Sequence, residues 1–207
     1  MPEKQPIRDQ AAAFENMVIF RDVLAGRGAR PFLSFGTLLG AVRERGFIPY
    51  DDDVDFGILE SDREAFLASI PELAERGLVH VQAWSNGRYY AFRRKDETLD
   101  LFVARPLRSL AGRRWDLDTR ASVPALHLDA LEPMDFLGRT FFVPAQPEAL
   151  LRNLYGRNWR VPIEDCPSRF DFSRYAQRLL RDPRKIFYFI RRFNDAMIAK
   201  LNLKRQD

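Results

Sequence analysis

The chain has 207 residues, of which 46% are hydrophobic and 13% aromatic, and these values exclude the disordered and low-complexity classes. No stretch approaches the ~18–20 uncharged apolar residues that a membrane-spanning helix needs. Its 33 basic residues exceed its 29 acidic residues, but residues 169–207 hold 11 of the basic and only 4 of the acidic ones. The first 168 residues are therefore slightly acidic, which argues against a nucleic-acid-binding protein. The single cysteine, Cys166, and the lack of a signal-peptide pattern predict a cytoplasmic protein.

Hydrophobic periodicity predicts alternating helices and strands along the first part of the chain. In chain order, it predicts a helix over 7–26, a strand over 31–35, a short helix over 38–43 and a strand over 53–58. The sequence Ser61-Asp62-Arg63-Glu64 predicts a capped start for the next helix. We expect Pro71 to interrupt this helix and Gly77 to end it.

Strand signals dominate the next part of the chain. They predict strands over 78–84, 88–94, 98–104, 131–136 and 139–143, followed by a helix over 147–154. Because some strands are joined by hairpins and others by helices, the expected fold class is α+β, with a mixed sheet and flanking helices. We assign residues 1–168 to one domain and residues 169–207 to a basic, helical C-terminal tail.

The run Asp51-Asp52-Asp53-Val54-Asp55 is the sharpest chemical feature of the sequence. On a strand, Asp53 and Asp55 would share one face at a separation of about 6.5–7 Å, while Val54 would point into the core. Carboxylates at this spacing can bind one or two hard cations, and ligands that are all oxygen favour Mg²⁺ or Mn²⁺ over Zn²⁺. Asp100 lies within the apolar sequence Leu-Asp-Leu-Phe, and it completes a triad if its strand lies beside the first.

The acidic run has two simpler interpretations, a solvated turn or a calcium-binding loop. An EF-hand loop needs Gly at its sixth position and Glu at its twelfth. Counted from Asp51, these positions hold Phe56 and Asp62. Counted from Asp53, the sixth position holds Ile58. The EF-hand pattern therefore fails, and the solvated turn is the alternative that stays open.

A second element, Gly36-Thr37, precedes the acidic run and follows a predicted strand. Glycine lets the backbone approach a ligand closely, and the free N–H groups at a helix start can hold phosphate oxygens. A phosphate-binding turn beside metal-binding carboxylates is the minimum that phosphoryl or nucleotidyl transfer needs, because this chemistry depends mostly on positioning and charge neutralisation.

Residues 35–55 read FGTLLGAVRERGFIPYDDDVD, and this run closely resembles the signature of the LicD/fukutin family. That family is a branch of the nucleotidyltransferase-fold (DNA polymerase β-like) superfamily. A weaker resemblance lies in residues 154–162, which read LYGRNWRVP. The resemblance implies metal-dependent transfer of a phospho-alcohol of the phosphocholine, ribitol-phosphate or glycerol-phosphate type. The donor would be CDP-activated, and the acceptor would be a hydroxyl of a glycan or lipid-linked glycan.

The resemblance also implies roles for individual residues. The metal ligands and catalytic residues would be Asp53, Asp55 and Asp100. Of these, Asp100 would serve as the third ligand or as the base that takes the acceptor proton. The groups that hold the donor would be Gly36, Thr37, Arg43 and Asp52. Since Asp51 and Asp52 are expected in a loop, they would support the site rather than bind the metal.

Several aromatic and basic side chains outside the motifs are further candidates. Arg88-Tyr89-Tyr90 and Arg93-Arg94-Lys95 lead towards Asp100, where they could stack a cytosine base or bind a diphosphate, unless they are ordinary sheet-surface residues. Tyr155 and Trp159 are expected to pack against the core, and the alternative is that they stack on a ligand. The two histidines are far apart in the sequence and are expected to be structural or exposed.

The sequence departs from the family pattern at two places. Tyr50 replaces the usual Trp, and Glu44-Arg45 stands where members often carry His-Gly, so the choice of acceptor is the least transferable property. Two other functions stay open. One is a nucleotidyltransferase that moves NMP to a small molecule or a protein, and the other is a non-catalytic nucleotide-binding protein.

Residues 183–207 combine an apolar stripe at helical spacing with many basic side chains. The first interpretation is a helix that packs on its own domain or in a dimer. The second is a basic amphipathic helix that lies on an anionic membrane surface. The second interpretation would suit a lipid-linked acceptor and would place the protein peripherally at the inner membrane surface.

Overall fold

The computed structural model of the chain describes residues 6–84, 87–109, 112–117 and 122–162. Cys166 and the predicted C-terminal tail lie outside the described residues. The helices are α1 (Gln10–Gly26), α2 (Phe35–Arg43), α3 (Arg63–Glu75) and α4 (Pro147–Tyr155). The strands are β1 (Phe32–Leu33), β2 (Val54–Leu59), β3 (Val79–Trp84), β4 (Tyr89–Arg94), β5 (Glu97–Ser109), β6 (Gly112–Asp116), β7 (Ser122–Pro124), β8 (Leu131–Phe136) and β9 (Arg139–Pro144).

The strands form one mixed sheet in the order β3-β4-β5-β2-β1-β9-β8. The β2–β5 and β1–β9 pairs are parallel, and the other pairs along this path are antiparallel. Strand β5 changes partner along its length, because its first part pairs with β2 and β4 while residues 105–109 pair with β6. The predicted α+β class, with a mixed sheet and flanking helices, is confirmed.

One face of the sheet packs on α1 and α3 through aromatic side chains. The Phe20 ring of α1 lies 5.2 Å from the Phe56 ring and 5.6 Å from the Phe92 ring. Phe66 of α3 reaches the same cluster, 6.1 Å from Phe92. Each of these rings is inaccessible to solvent, and burying a side chain of this size stabilises the fold by about 1.5–3 kcal/mol.

The opposite face carries α2 and a smaller group of phenylalanines. The Phe35 ring at the start of α2 lies 5.0 Å from the Phe102 ring, and Phe32 lies 5.9 Å from Phe102. Gly57 makes this packing possible, since a Cβ there would lie 2.5 Å from the Phe32 ring and 2.6 Å from the Phe102 ring. These rings hold the beginning of α2 against β2 and β5.

Several boundaries differ from the sequence-based predictions. Helix α2 begins at Phe35 rather than at residue 38, so Gly36 and Thr37 lie in its first turn. The expectation that Pro71 interrupts α3 is wrong, because the helix continues to Glu75. The carbonyl that Pro71 leaves without an N–H partner belongs to Leu67, which is exposed and can bond to water.

The predicted capping box at the start of α3 is also wrong. The residue that precedes the helix is Asp62, which makes no capping hydrogen bond through its side chain. Instead, the Asp62 carboxylate accepts the N–H of Arg30, and the Ser61 hydroxyl donates to Asp62. A short 3₁₀ turn over Glu60–Asp62 leads into α3 and displaces the expected cap by one residue.

Candidate active site

Asp55 and Asp100 lie side by side on neighbouring parallel strands. The register of β2 and β5 pairs Asp55 directly with Asp100, so both residues share the face of the sheet that carries α2. The apolar neighbours of Asp55 point the other way, and Val54 and Phe56 are buried as the alternation predicted. Of the predicted triad, these two members are brought together by strand pairing.

The third member, Asp53, immediately precedes β2 and belongs to a compact acidic loop. Oxygen atoms of Asp51, Asp52 and Asp53 all lie within 4.8 Å of one another, and the three residues are half-buried. This loop is therefore a cluster of convergent carboxylates rather than a fully solvated turn. The structure places Asp51 and Asp52, expected as supporting residues, as close together as ligands of one ion would be.

The first turn of α2 contacts Asp55 at several atoms. The backbone N–H of Gly36 donates to Asp55 Oδ2 at 3.0 Å. The backbone N–H of Asp55 donates to Thr37 Oγ1 at 2.8 Å, and the N–H of Ser34 donates to the Asp55 carbonyl at 3.2 Å. Phe35, between these residues, has a φ of 39°, which is uncommon for a side chain of this size. The turn is therefore bent in a way that brings α2 onto the start of β2.

Gly36 also lies against the acidic loop. A Cβ on Gly36 would overlap the Asp51 carboxylate, with its Cγ only 3.0 Å away. The position therefore admits no side chain unless Asp51 moves. Gly36 is the residue at which the helix start, the acidic loop and Asp55 meet.

Burial and like charge act together on Asp55. The pKa of Asp55 is raised well above its ordinary value, first by burial and then by the charges of Asp53, Asp51 and Asp100. The hydrogen bond from the Gly36 N–H acts in the opposite direction. The acids of β2, β5 and the loop are thus close enough to repel one another.

Tyr89 belongs to the same group of side chains. It lies on β4 opposite Phe102, on the face shared with Asp100. Burial, and then the charges of Asp55, Asp100 and Asp53, raise the pKa of the Tyr89 phenol above its ordinary value, and Tyr155 of α4 adds to this. Tyr89 therefore stays protonated beside the carboxylates.

The chemistry of these residues fits a hard divalent cation. The potential ligands are carboxylate oxygens, which suit Mg²⁺ or Mn²⁺, and a dication would relieve the repulsion that raises the pKa of Asp55. The histidines do not contribute a softer ligand to this group. His127 is buried elsewhere, where burial and then Arg114 lower its pKa, and the His80 ring lies 5.5 Å from Phe92.

Arg43 connects the end of α2 with the second motif of the sequence. Its guanidinium donates to the Trp159 carbonyl at 3.2 Å and to the Tyr50 hydroxyl at 3.4 Å, and it pairs with Glu44 at 2.6 Å. Its side chain is only 8% exposed. A donor pyrophosphate could bind Arg43 only by exchanging some of these contacts.

Most of the basic candidates outside the motifs are used in packing. Arg88 is buried and pairs with Asp116 at 2.9 Å, whereas Arg94 and Lys95 both pair with Glu15 of α1. Trp159 is buried, as expected. The ion pairs therefore explain the positions of Arg88, Arg94 and Lys95, and no bound ligand is needed to explain them.

Two residues, Asp51 and Tyr89, belong more closely to the candidate site than the sequence predicts. Asp51 was expected only as a supporting residue, and its packing on Gly36 depends on the path of the loop, which no local pattern reveals. Tyr89 was one of several aromatic candidates. The available signal was the hairpin register, which places residue 89 two positions from the partner of Asp100.

Comparisons with known proteins identify the family. The family model of the LicD/FKTN/FKRP nucleotidyltransferase domain matches residues 28–146, which include the α2 turn, the acidic loop and Asp100. The chain therefore belongs to the LicD/FKTN/FKRP family. The nucleotidyltransferase fold that the sequence predicted is confirmed.

Individual relatives cover different shares of the chain. Human ribitol 5-phosphate transferase FKRP is 33% identical over an alignment of 144 positions, which covers 64% of this chain and 28% of FKRP. An uncharacterized protein of Rickettsia typhi is 39% identical over 56 residues, which are 27% of this chain and 18% of that protein. The solution structure of the antibiotic-resistance factor ANT(2'')-Ia has 16% identity and a TM-score of 0.49, and the match covers 93% of this chain and 97% of that one.

The curated relatives are longer than the parts that match. The chain covers between 18% and 50% of the lengths of the four relatives found. Among the residues that the structure describes, no helix has both the length and the apolar character needed to cross a membrane.

Proposed function

We propose that this chain transfers a phospho-alcohol from a CDP-activated donor to a hydroxyl of a glycan or lipid-linked glycan, with Mg²⁺ or Mn²⁺ as cofactor. The observation that carries the proposal is the convergence of Asp55, Asp100 and the acidic loop at the start of α2. Membership of the family that includes a ribitol 5-phosphate transferase supports the choice of transferred group.

The acids have distinct roles in this proposal. Asp53 and Asp55 would hold the cation, Asp100 would be a third ligand or the base, and the adjacent Asp51 and Asp52 would complete or support the ligand set. When bound, the cation would neutralise the charge of the donor's diphosphate. Because Asp55 is buried among other carboxylates, its repulsive environment favours binding of a dication.

Group transfer would then proceed by direct displacement. The acceptor oxygen forms a bond to the phosphorus that carries the alcohol, and the bond from that phosphorus to the bridging oxygen breaks, so CMP leaves. The acceptor proton passes to a carboxylate, for which Asp100 is the candidate because it lies beside Asp55 on the site face.

A donor screen tests the proposal. The full chain is incubated with CDP-choline, CDP-ribitol or CDP-glycerol, a mixture of glycan acceptors and Mg²⁺ or Mn²⁺, and the products are analysed by mass spectrometry. Metal-dependent release of CMP with a matching mass gain on an acceptor is the expected result. Release of pyrophosphate from a nucleoside triphosphate instead would indicate a nucleotidyltransferase.

Absence of any metal-dependent binding of nucleotide, measured by calorimetry, would leave the non-catalytic interpretation.

A variant that removes a site carboxylate, such as Asp55→Asn, needs a control that removes an acid away from the site. The control is Asp96→Asn, because the Asp96 side chain is 91% exposed on the turn before β5. This variant should behave like the original chain in every assay. A loss of activity in Asp96→Asn would show that removing any negative charge, rather than removing a carboxylate of the site, lowers activity.

A further inference from the structure

We propose that Thr37 is a positioning residue for Asp55 rather than a ligand of the donor's phosphates. This inference rests on the proposed function, because it concerns the residue that would hold the cation. It changes the role that the family resemblance implied for Thr37, and it follows from the contacts of one buried hydroxyl.

The Thr37 hydroxyl is already engaged within the protein. Its Oγ1 accepts the backbone N–H of Asp55 at 2.8 Å, and Thr37 is only 3% exposed. A donor phosphate outside the protein could not reach this oxygen without displacing the surrounding side chains. The hydrogen bond lies wholly inside the protein, so losing it would leave the Asp55 N–H buried and unpaired.

Three contacts from one short segment, residues 34–37, fix Asp55. Ser34 holds its carbonyl, Gly36 holds its carboxylate and Thr37 holds its N–H. The Ser34 and Gly36 contacts are made by backbone N–H groups, so no change of side chain removes them directly. Of these three residues, Thr37 contacts Asp55 through its side chain. Its hydroxyl therefore determines how firmly the α2 turn is attached to the start of β2.

The contact is important because Asp55 is buried directly beside Asp100 on the neighbouring strand. A shift of its backbone would therefore change the distance between the two carboxylates. Fixing the peptide of Asp55 fixes its Cα–Cβ direction, and the Gly36 N–H then selects one orientation of the carboxylate. Thr37 thereby acts on the cation site through Asp55.

Binding of Mn²⁺ alone provides a test that does not depend on donor or acceptor. We compare Thr37→Val, which keeps the shape but loses the acceptor, with Thr37→Ser, which keeps the hydroxyl. Thr37→Val should weaken Mn²⁺ binding by about fivefold or more, the size expected for loss of one hydrogen bond, and Thr37→Ser should stay within about twofold. Thr140→Val, on an exposed part of β9, is the matched control and should bind as the original chain does.

A second readout separates positioning from phosphate contact. At saturating Mn²⁺, Thr37→Val should lower kcat and leave the donor KM within about twofold, because the donor does not touch the hydroxyl. Unchanged Mn²⁺ affinity in Thr37→Val, or a raised donor KM with normal metal affinity, overturns the inference. If Thr37→Val does not fold, Thr37→Cys, a weaker acceptor, should bind Mn²⁺ less tightly than Thr37→Ser, and equal affinities overturn the inference.

The outcomes distinguish this inference from the proposed function. If the original chain binds no Mn²⁺, the proposed cation site and the positioning role both fail. If the original chain and Thr37→Val bind Mn²⁺ equally, only the positioning role fails. If Mn²⁺ binding changes as expected but no CDP-alcohol is turned over, the positioning role stands and the proposed transfer reaction fails.

Discussion

At the scale of single residues, opposing effects act on the pKa of Asp55. Burial and three neighbouring acids raise its pKa, whereas the Gly36 N–H stabilises its charged form. Such a residue lowers the stability of the folded chain when no cation is present. Its position is therefore better explained by binding than by packing.

The variant Asp55→Asn should separate function from stability. Asparagine has nearly the same shape but carries no charge, so we expect turnover to fall by about a hundredfold or more through loss of a metal ligand. In metal-free buffer the same variant should melt at a higher temperature than the original chain, because the buried repulsion is removed. Activity assays and thermal unfolding followed by circular dichroism measure the two effects, and retained activity would show that the site lies elsewhere.

Gly36 provides a second test at this scale. A Cβ at this position overlaps the Asp51 carboxylate, so Gly36→Ala should displace the acidic loop and weaken Mn²⁺ binding by about tenfold or more. Gly46→Ala is the control, because a Cβ at Gly46 meets no atom within 4 Å. Calorimetric titration with Mn²⁺ compares the two variants. Equal affinities would mean that Asp51 does not contribute to the site.

At the scale of secondary structure, Arg43 holds three elements together. It lies at the end of α2 and contacts the segment after α4 through Trp159 and the acidic loop through Tyr50. Residues from both stretches that resemble the family signature, 35–55 and 154–162, therefore meet at one guanidinium. A lysine has a single nitrogen and cannot make the same set of contacts.

Arg43→Lys should therefore destabilise the fold by about 1–2 kcal/mol, because one or two partly buried hydrogen bonds are lost. Arg45→Lys is the matched control, since Arg45 is exposed two residues away. Denaturant unfolding measures the difference between the two. If Arg43→Lys instead keeps full stability and raises only the donor KM, Arg43 contacts the pyrophosphate as the family resemblance implied.

The elements also show what the sequence could predict. Periodicity located β2, β4, β8 and α4 to within one residue, because each has a clear pattern bounded by turn residues. It missed β6, β7 and the second part of β5, where charged and apolar residues do not alternate cleanly. These strands are defined by pairing with one another.

The candidate site was predictable to a similar degree. The alternation of acids located Asp53 and Asp55, and the apolar surroundings of Asp100 identified its strand. The hydrogen bonds between Asp55 and residues Ser34, Gly36 and Thr37 could not be predicted, because they depend on α2 beginning earlier than its pattern suggests. That early start places Phe35 at a positive φ, which is unfavourable for phenylalanine. The packing of its ring on Phe102 offsets this cost.

At the scale of the whole molecule, charge is divided between two parts of the chain. The acidic site belongs to the slightly acidic first 168 residues, while residues 169–207 hold the surplus of positive charge. An acidic site repels an anionic membrane, whereas a basic segment is attracted to it. The charge distribution therefore favours the tail as the part that would contact such a surface.

Deletion of residues 183–207 tests this interpretation. The full chain should bind vesicles that contain phosphatidylserine, with binding that weakens as salt is added, and the truncated chain should not bind. Neutral phosphatidylcholine vesicles are the control. Sedimentation with the vesicles measures both, and failure of the full chain to bind would leave packing on its own domain or in a dimer as the role of the tail.

The parallel pairing of β2 with β5 has a consequence for how the protein folds. Parallel neighbours cannot be joined by a tight hairpin. In this chain α3, β3 and β4 lie between β2 and β5, so the pairing of Asp55 with Asp100 joins distant parts of the chain. Contacts between such distant parts of the chain slow folding, because loop-closure entropy must be overcome before they form. The two acids become neighbours only when the centre of the sheet closes, so partly folded chains would lack the complete group of carboxylates.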